Sequence, residues 1–200
     1  MGEVKTGKRL NASIIKKLIL IVAVYVLIMF LLKGGLLNRQ YTALLVPIAV
    51  NVILAVSLNL VTGFLGELTL GHAGFMSIGA YTGALITLNL TSVPGPVAFA
   101  LALILGGVVA AVFGVLIGVP VLRLRGDYLA IVTLGFGEII KSILNALPFT
   151  NGPKGLSKIP MYANYQHFTL VFIIMVVTVV LITNLVKSRD GRAICAIRDN

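Results

Sequence analysis

Apolar residues fall into long runs along this chain, and short basic, polar or glycine-rich segments separate the runs. A helix needs about 20 mostly apolar residues to cross a bilayer, with a range near 17–25. The pattern predicts an all-α integral membrane protein, a polytopic helix bundle of about six spans. The predicted spans are Leu18–Leu37, Ala43–Thr62, Phe75–Leu90, Val97–Val119, Tyr128–Leu147 and Phe168–Val186.

The composition supports a membrane location. Hydrophobic residues make up 58% of the chain and charged residues only 11%, with a mean hydropathy of +1.06. A soluble domain carries about 25% charged residues, so these charges are too few to cover a soluble surface. The net charge of +10 does not indicate nucleic-acid binding, because the basic residues lie between apolar runs and form no stripe interleaved with aromatic residues.

The distribution of basic residues predicts the orientation of the spans. With the N-terminus in the cytoplasm, the predicted inside segments hold eleven Lys and Arg and the outside segments four. This is the bias that the positive-inside rule describes, and it requires the weakest span, Tyr128–Leu147, to cross. We predict a basic cytoplasmic N-terminus over residues 1–17, a membrane domain over 18–186 and a charged cytoplasmic tail over 187–200.

The first span also has features of a secretory signal peptide. Five basic residues precede the apolar run Leu18–Leu32. A signal peptide ends in a small-x-small cleavage site, but Lys33-Gly34-Gly35 follows this run. We therefore expect an uncleaved first span.

No constellation of catalytic residues is visible in the sequence, so we expect no enzyme, no metal site and no cofactor. Cys195, His72 and His167 are too few and too far apart to form a metal-ligand set. Gly2–Lys8 fits G-x-x-x-x-G-K, but Arg9 stands where a nucleotide-binding loop needs Ser or Thr. Any ATP hydrolysis would therefore come from another subunit.

The segment Gly63–Gly74 (GFLGELTLGHAG) is too polar and glycine-rich for a lipid-facing helix, yet it lies between two apolar spans. Irregular backbone at membrane depth is tolerated only where it is buried in protein or lines a wet cavity, and broken helices form substrate paths in transporters. We predict a broken or re-entrant helix here, the alternative being an ordinary cytoplasmic turn. Glu67 and His72 are its polar groups, and a single histidine is more often a hydrogen-bonded structural residue than a ligand.

Glu138 is the only acidic residue inside a predicted span. An intramembrane carboxylate is unfavourable unless it is paired or faces water. Lys141 follows three residues later on the same helix face. A self-neutralising ion pair and a role in lining a solute path both remain open.

Small residues recur at helix-packing spacing in two spans. Gly79 and Gly83 are four residues apart in the third span, and a longer stripe runs down the fourth. Such residues let helix backbones approach closely in a membrane. The stripe in the fourth span consists of Gly106, Ala110, Gly114 and Gly118.

The tail Lys187–Asn200 is charged and predicted to lie in the cytoplasm. Its small and apolar residues are spaced to line one side of a short helix, which would suit docking in a groove of a partner protein. A solvated flank after the last span is the alternative. The residues concerned are Ala193, Ile194, Ala196 and Ile197.

Several of these segments resemble one known family. Leu58–Leu85 is similar to the characteristic motif of branched-chain amino-acid ABC permeases of the LivH/LivM type. Val121–Asn145 and Thr150–Pro160 (TNGPKGLSKIP) resemble the LivM branch, and Gly191–Asn200 (GRAICAIRDN) resembles the start of its cytoplasmic coupling segment. The resemblance follows the family order throughout Leu58–Asn200.

The resemblance implies a permease subunit without its own ATPase site, in the cytoplasmic membrane of a prokaryote. It implies as partners a homologous permease subunit, two cytoplasmic ATPase subunits and an extracytoplasmic solute-binding protein that delivers leucine, isoleucine or valine. Family members continue with further spans, so the chain would correspond to the N-terminal part of a permease, truncated at the coupling segment. A urea or amide permease of the same type and a non-transporting fragment are the alternatives.

The resemblance also assigns roles to individual residues. One set would shape the broken helix near the translocation path, and a second would contact the ATPase. The first set is Gly63, Gly66, Gly71, His72 and Gly74. Glu67 and Glu138 join this set because they are acidic residues in or beside the predicted path. The second set is Gly191, Arg192, Ala193, Ile197, Arg198 and Asp199.

Overall fold

A computed structural model describes residues 4–34, 38–90, 93–121, 123–124, 126–160 and 168–198 of the chain. The described residues form α-helices and short helical turns and contain no strand, which confirms the predicted all-α fold. The helices are α1 (Val4–Lys33), α2 (Arg39–Asn59), α3 (His72–Asn89), α4 (Gly95–Val121), α5 (Asp127–Ala146), α6 (Phe168–Lys187) and α7 (Arg189–Arg198). A π-helical turn, Leu60–Leu65, extends α2, and 3₁₀ turns lie at Pro148–Thr150 and Gly152–Lys154.

Among the described residues, four helical stretches are long and apolar enough to cross a membrane. They are Gln40–Leu65, α4, α5 and α6. The other two predicted spans are also helical but meet this standard less well. The apolar part of α1 that is described, Ile19–Lys33, is shorter, and α3 begins and ends with the polar residues His72 and Asn89. Part of the first predicted span, residues 35–37, lies outside the described chain.

Aromatic and aliphatic side chains hold α1, α2 and α6 together. Phe168 and Phe172 of α6 are buried together with Ala49 of α2. Tyr25 of α1 places its ring 5.2 Å from that of Phe172, and its hydroxyl forms a hydrogen bond of 2.8 Å with Thr169. Residues that precede Tyr25 in α1 share a cavity with residues that follow Phe172 in α6, which indicates that α1 and α6 are antiparallel.

Glycines bring α3 and α4 into backbone contact. A Cβ atom added to Gly106 would lie 2.8 Å from the carbonyl oxygen of Gly79, and one added to Gly83 would lie 3.4 Å from that of Ala102. The predicted small-residue stripes of the two helices therefore face each other. The pairs run in opposite chain directions, so α3 and α4 are antiparallel. At the other end of the stripe Gly114 approaches only the ring of Phe75, and Gly118 has no such neighbour.

Helix α5 packs on the opposite side of α3. Gly71 and Gly74 meet Thr133 and Gly137 in the same chain order, so α3 and α5 are parallel. The directions of α3, α4 and α5 thus alternate as expected for three consecutive crossings. This result supports the crossing of Tyr128–Leu147, the weakest of the spans predicted from the sequence.

Gly106→Ala should destabilise the protein by about 1–3 kcal/mol, because the added methyl group overpacks a contact between two backbones. Gly107→Ala is the matched control, since no atom lies within 4 Å of a Cβ at that position, and alanine favours a helix over glycine. Thermal unfolding in detergent would measure both. Equal melting temperatures for the two variants would contradict the close contact.

Candidate functional site

The helix that begins with α2 is interrupted at the predicted place. The π-helical turn Leu60–Leu65 ends at Gly66, which has a φ of +82°. Residues 66–71 are not helical, and α3 starts at His72. Glycine adopts positive φ without the steric conflict that a Cβ atom causes. The predicted interruption of the helix is therefore confirmed, and Gly66 is the residue at which the chain turns.

The interrupted segment lies beside α5 rather than beyond its end. The backbone N–H of Leu70 donates to the Thr133 hydroxyl over 3.0 Å, and a Cβ on Gly71 would lie 2.8 Å from the Thr133 carbonyl oxygen. Thr133 is six residues into α5, about 9 Å along the helix axis at 1.5 Å per residue. Helix α5 is itself about 30 Å long. The end of the irregular segment, at Leu70 and the buried Gly71, thus lies against the second turn of α5, whereas Gly66 and Leu68 are exposed.

The glycines of this segment have different physical roles. Gly74 lets α3 approach α5, because an added Cβ would lie 2.9 Å from the side chain of Ile140 and 3.2 Å from Gly137. A Cβ on Gly63 would overlap the flexible side chain of Asn59. Gly66, Gly71 and Gly74 are therefore fixed by conformation or by close packing, whereas the atoms nearest to a Cβ at Gly63 belong to the flexible Asn59 side chain.

His72 links α2 to α3. Its Nε2 atom lies 3.1 Å from the Ser57 hydroxyl, which also donates to the Leu54 carbonyl oxygen. This is the hydrogen-bonded structural role expected for a single histidine in the segment. His72 and Ser57 also line a cavity of about 940 Å³ between α2, α3 and α4, and Ile159 and Pro160 contribute to its wall. The rest of the wall is mostly apolar, with small residues from α3 and α4.

Glu138 and Lys141 form the ion pair that their spacing predicts, with 3.3 Å between Oε2 and Nζ. Both side chains are about two-thirds exposed, and exposed pairs contribute little to stability. Glu138 also lines a cavity of about 290 Å³ between α3 and α5, which it shares with Gly74 and Tyr81. Glu138 therefore both pairs with Lys141 and lines the cavity between α3 and α5.

The predicted path residues do not converge on one point. Gly74 and Glu138 share the α3–α5 cavity, and His72 lies on the larger cavity. Gly63 lies in the π-helical turn, Gly66, Glu67 and Gly71 lie in the non-helical segment after it, and none of these four lines either cavity. The sequence interpretation missed Thr133, the residue that fixes this segment to α5, because a threonine within an apolar helix gives no signal of a partner 63 residues away.

The tail forms a ten-residue helix, α7, directly after α6. The backbone N–H of Gly191 donates to the Ser188 hydroxyl over 3.1 Å. Gly191 is buried, and an added Cβ would overlap the carbonyl oxygens of Leu185 and Val186. The tight turn between α6 and α7 therefore requires glycine at this position.

Helix α7 packs against the end of α6 and against the π-helical turn. This contact places the tail and the interrupted helix on the same side of the molecule, as the charge pattern predicts. Arg192 and Ala193 are exposed. Of the other predicted coupling residues, Asp199 lies outside the described residues, and only the backbone of Ile197 and Arg198 is described.

Sequence comparison identifies the family to which this bundle belongs. The model of the branched-chain amino acid transport system permease component family matches residues 40–200. The chain is a member of this family and a multi-pass membrane protein.

Two curated relatives are LivM proteins, each described as a high-affinity branched-chain amino acid transport system permease protein. The protein from Escherichia coli K12 is 43% identical over 155 residues, covering 76% of this chain and 34% of the relative. The protein from Salmonella typhimurium LT2 is 51% identical over 112 residues, covering 56% of this chain and 25% of the relative. The chain thus matches about a third or less of each relative. No solved structure matches it.

Gly66→Ala should destabilise the protein by about 1–2 kcal/mol, because a left-handed backbone conformation is unfavourable for alanine by that amount. Gly135→Ala in α5 is the control, since an added Cβ there has no neighbour within 4 Å. Chemical unfolding in detergent would compare them. If the Gly66 variant were as stable as the control, the positive φ would not be required.

Proposed function

We propose that this chain is a permease subunit of an ABC importer that translocates leucine, isoleucine and valine across the cytoplasmic membrane. Partner subunits would hydrolyse the ATP. The observation that carries the proposal is the family match over residues 40–200, which includes both the interrupted helix and α7. The chain matches only part of each curated relative.

We place the N-terminus and α7 in the cytoplasm. The excess of basic residues in the predicted inside segments supports this orientation. The antiparallel arrangement of α1 and α6 supports an even number of crossings between them. The loop after α5 then lies on the extracytoplasmic side.

The ATPase would bind α7. The residues proposed to contact it resemble the family's coupling segment: Gly191, Arg192, Ala193, Ile197 and Arg198 of α7, and Asp199, which follows α7 in the sequence. Arg192 and Ala193 are exposed on a helix that is anchored to α6 by the buried Gly191. A short helix with a fixed base and an open face suits docking in a groove of a partner.

The solute path would pass along the interrupted helix. Gly63, Gly66, Glu67, Gly71, His72 and Gly74 lie on or beside it, and Glu138 lines the adjoining cavity. Mostly apolar walls with a few polar groups suit an aliphatic side chain on a polar backbone. A homologous second permease subunit, a pair of ATPase subunits and an extracytoplasmic solute-binding protein would complete the importer.

Uptake measurements test the substrate. A strain without its own leucine transport, expressing the full-length permease with its ATPase subunits and binding protein, should accumulate radiolabelled leucine. Isoleucine and valine should compete with leucine, and urea should not. Uptake of urea in place of leucine would favour the urea or amide alternative, and no uptake of either would contradict the proposed transport function.

Arg192→Glu should reduce co-purification of the ATPase subunits about tenfold or more, a loss that corresponds to about 1.4 kcal/mol of binding free energy. Lys16→Glu is the control, because Lys16 is an exposed lysine of α1 on the same predicted side of the membrane. Quantitative immunoblotting of the purified permease would measure the ratio of the subunits. Equal ratios in the two variants would contradict a docking role for α7.

A further inference from the structure

The loop that follows α5 is tied closely to the helix bundle. Thr150 is fully buried, and its hydroxyl donates to the carbonyl oxygens of Leu144 and Leu147. The Asn151 side chain donates to the Gly155 carbonyl oxygen over 3.1 Å. Residues 148–160, which we call the α5–α6 loop, therefore present a defined shape at the end of α5.

The backbone of the α5–α6 loop is unusual at one lysine. Four of its residues have positive φ, and two of these are glycines. Lys158, at φ +61°, is neither glycine nor one of the polar residues that tolerate this region well. Residues held in such conformations cluster at functional sites, where the surrounding structure fixes them. The loop thus holds the backbone of Lys158 in a conformation that is unfavourable for a lysine.

The α5–α6 loop carries cations without compensating acids. Lys154 and Lys158 are exposed, and neither makes an ion pair with another described residue. The sequence contains no Asp or Glu between Glu138 and Asp190, and Glu138 is paired with Lys141. In the proposed orientation these two lysines are half of the extracytoplasmic basic residues, on the side where such residues are disfavoured.

The α5–α6 loop also adjoins both cavities. Gly155 approaches the hydroxyl of Tyr81, which lines the α3–α5 cavity. Ile159 and Pro160 form part of the wall of the larger cavity. A protein seated on Lys154 and Lys158 would therefore lie next to residues that contact or line both cavities.

We propose that the α5–α6 loop is the surface on which an acidic face of the extracytoplasmic solute-binding protein docks, with Lys154 and Lys158 contacting its carboxylates. This inference rests on the proposed function. Charged contacts at the edge of an interface set the rate of association and its dependence on salt. The docking should therefore weaken as salt concentration rises and the Debye length falls from about 10 Å at 0.1 M.

The experiment uses the full-length permease with its ATPase subunits in phosphatidylcholine nanodiscs. The probe is the leucine-loaded solute-binding protein encoded with this permease, and affinity is measured at low and high salt. The double variant Lys154→Glu/Lys158→Glu should bind about tenfold or more weakly at low salt, and its affinity should no longer fall as salt rises, because salt screens the repulsion between the new carboxylates and the acidic face. The charge-conserving variant Lys154→Arg/Lys158→Arg should bind within about twofold of wild type. Lys33→Glu, at an exposed lysine on the same predicted side, should leave binding unchanged.

A further variant separates charge from folding. Lys158→Gly removes one charge and relieves the positive φ, so it should weaken docking while raising the melting temperature of the permease. Wild-type affinity in the Lys154→Glu/Lys158→Glu variant would overturn the docking proposal, and leucine uptake by the wild type would show that the proposed function still stands. An equal loss in Lys33→Glu would also overturn it. The docking proposal would likewise be overturned if Lys154→Glu/Lys158→Glu changed the affinity for the solute-binding protein only in phosphatidylglycerol nanodiscs. That outcome would identify a lipid headgroup as the occupant of the loop surface.

Discussion

The contact between the interrupted segment and Thr133 fixes the place where the chain passes from α2 to α3. Non-helical backbone inside an apolar bundle leaves N–H and carbonyl groups without their helical partners, and each unsatisfied group is unfavourable. The Thr133 hydroxyl accepts from the Leu70 N–H and donates to the Ala130 carbonyl oxygen. Gly71 permits this approach because it has no side chain. The chain can then leave α2, which packs along α6, and enter α3, which packs along α4 and α5.

Two kinds of packing hold the two halves of the bundle. Large aromatic side chains fill the space between α1, α2 and α6, whereas glycine and alanine bring the backbones of α3 and α4 together. In a membrane, lipid chains give helices no hydrophobic reason to associate, so close van der Waals contact matters more. His72 and Ser57 join the halves through one hydrogen bond, at the edge of the larger cavity.

A continuous route connects the proposed ATPase surface with the cavities. Helix α7 lies on the π-helical turn, the turn leads through Gly66 into the interrupted segment, and that segment leads to His72. A π-helical turn is a local departure from regular helix that often occurs at functional sites. In the proposed importer, a displacement of α7 would therefore reach the cavity walls through a few residues of irregular backbone.

The sequence by itself determined the helices, because helix formation in a membrane depends on the length of each apolar run and on the glycine and charged residues that separate the runs. The predicted bounds of α5 and α6 differ from the observed ones by at most one residue at each end, and the interruption lies where the glycines are. The sequence could not determine which helices pack together. The hydrogen bond from Leu70 to Thr133 and the division of the path residues between two cavities depend on contacts between distant residues. The local sequence pattern does not specify such contacts, so only the tertiary structure decided them.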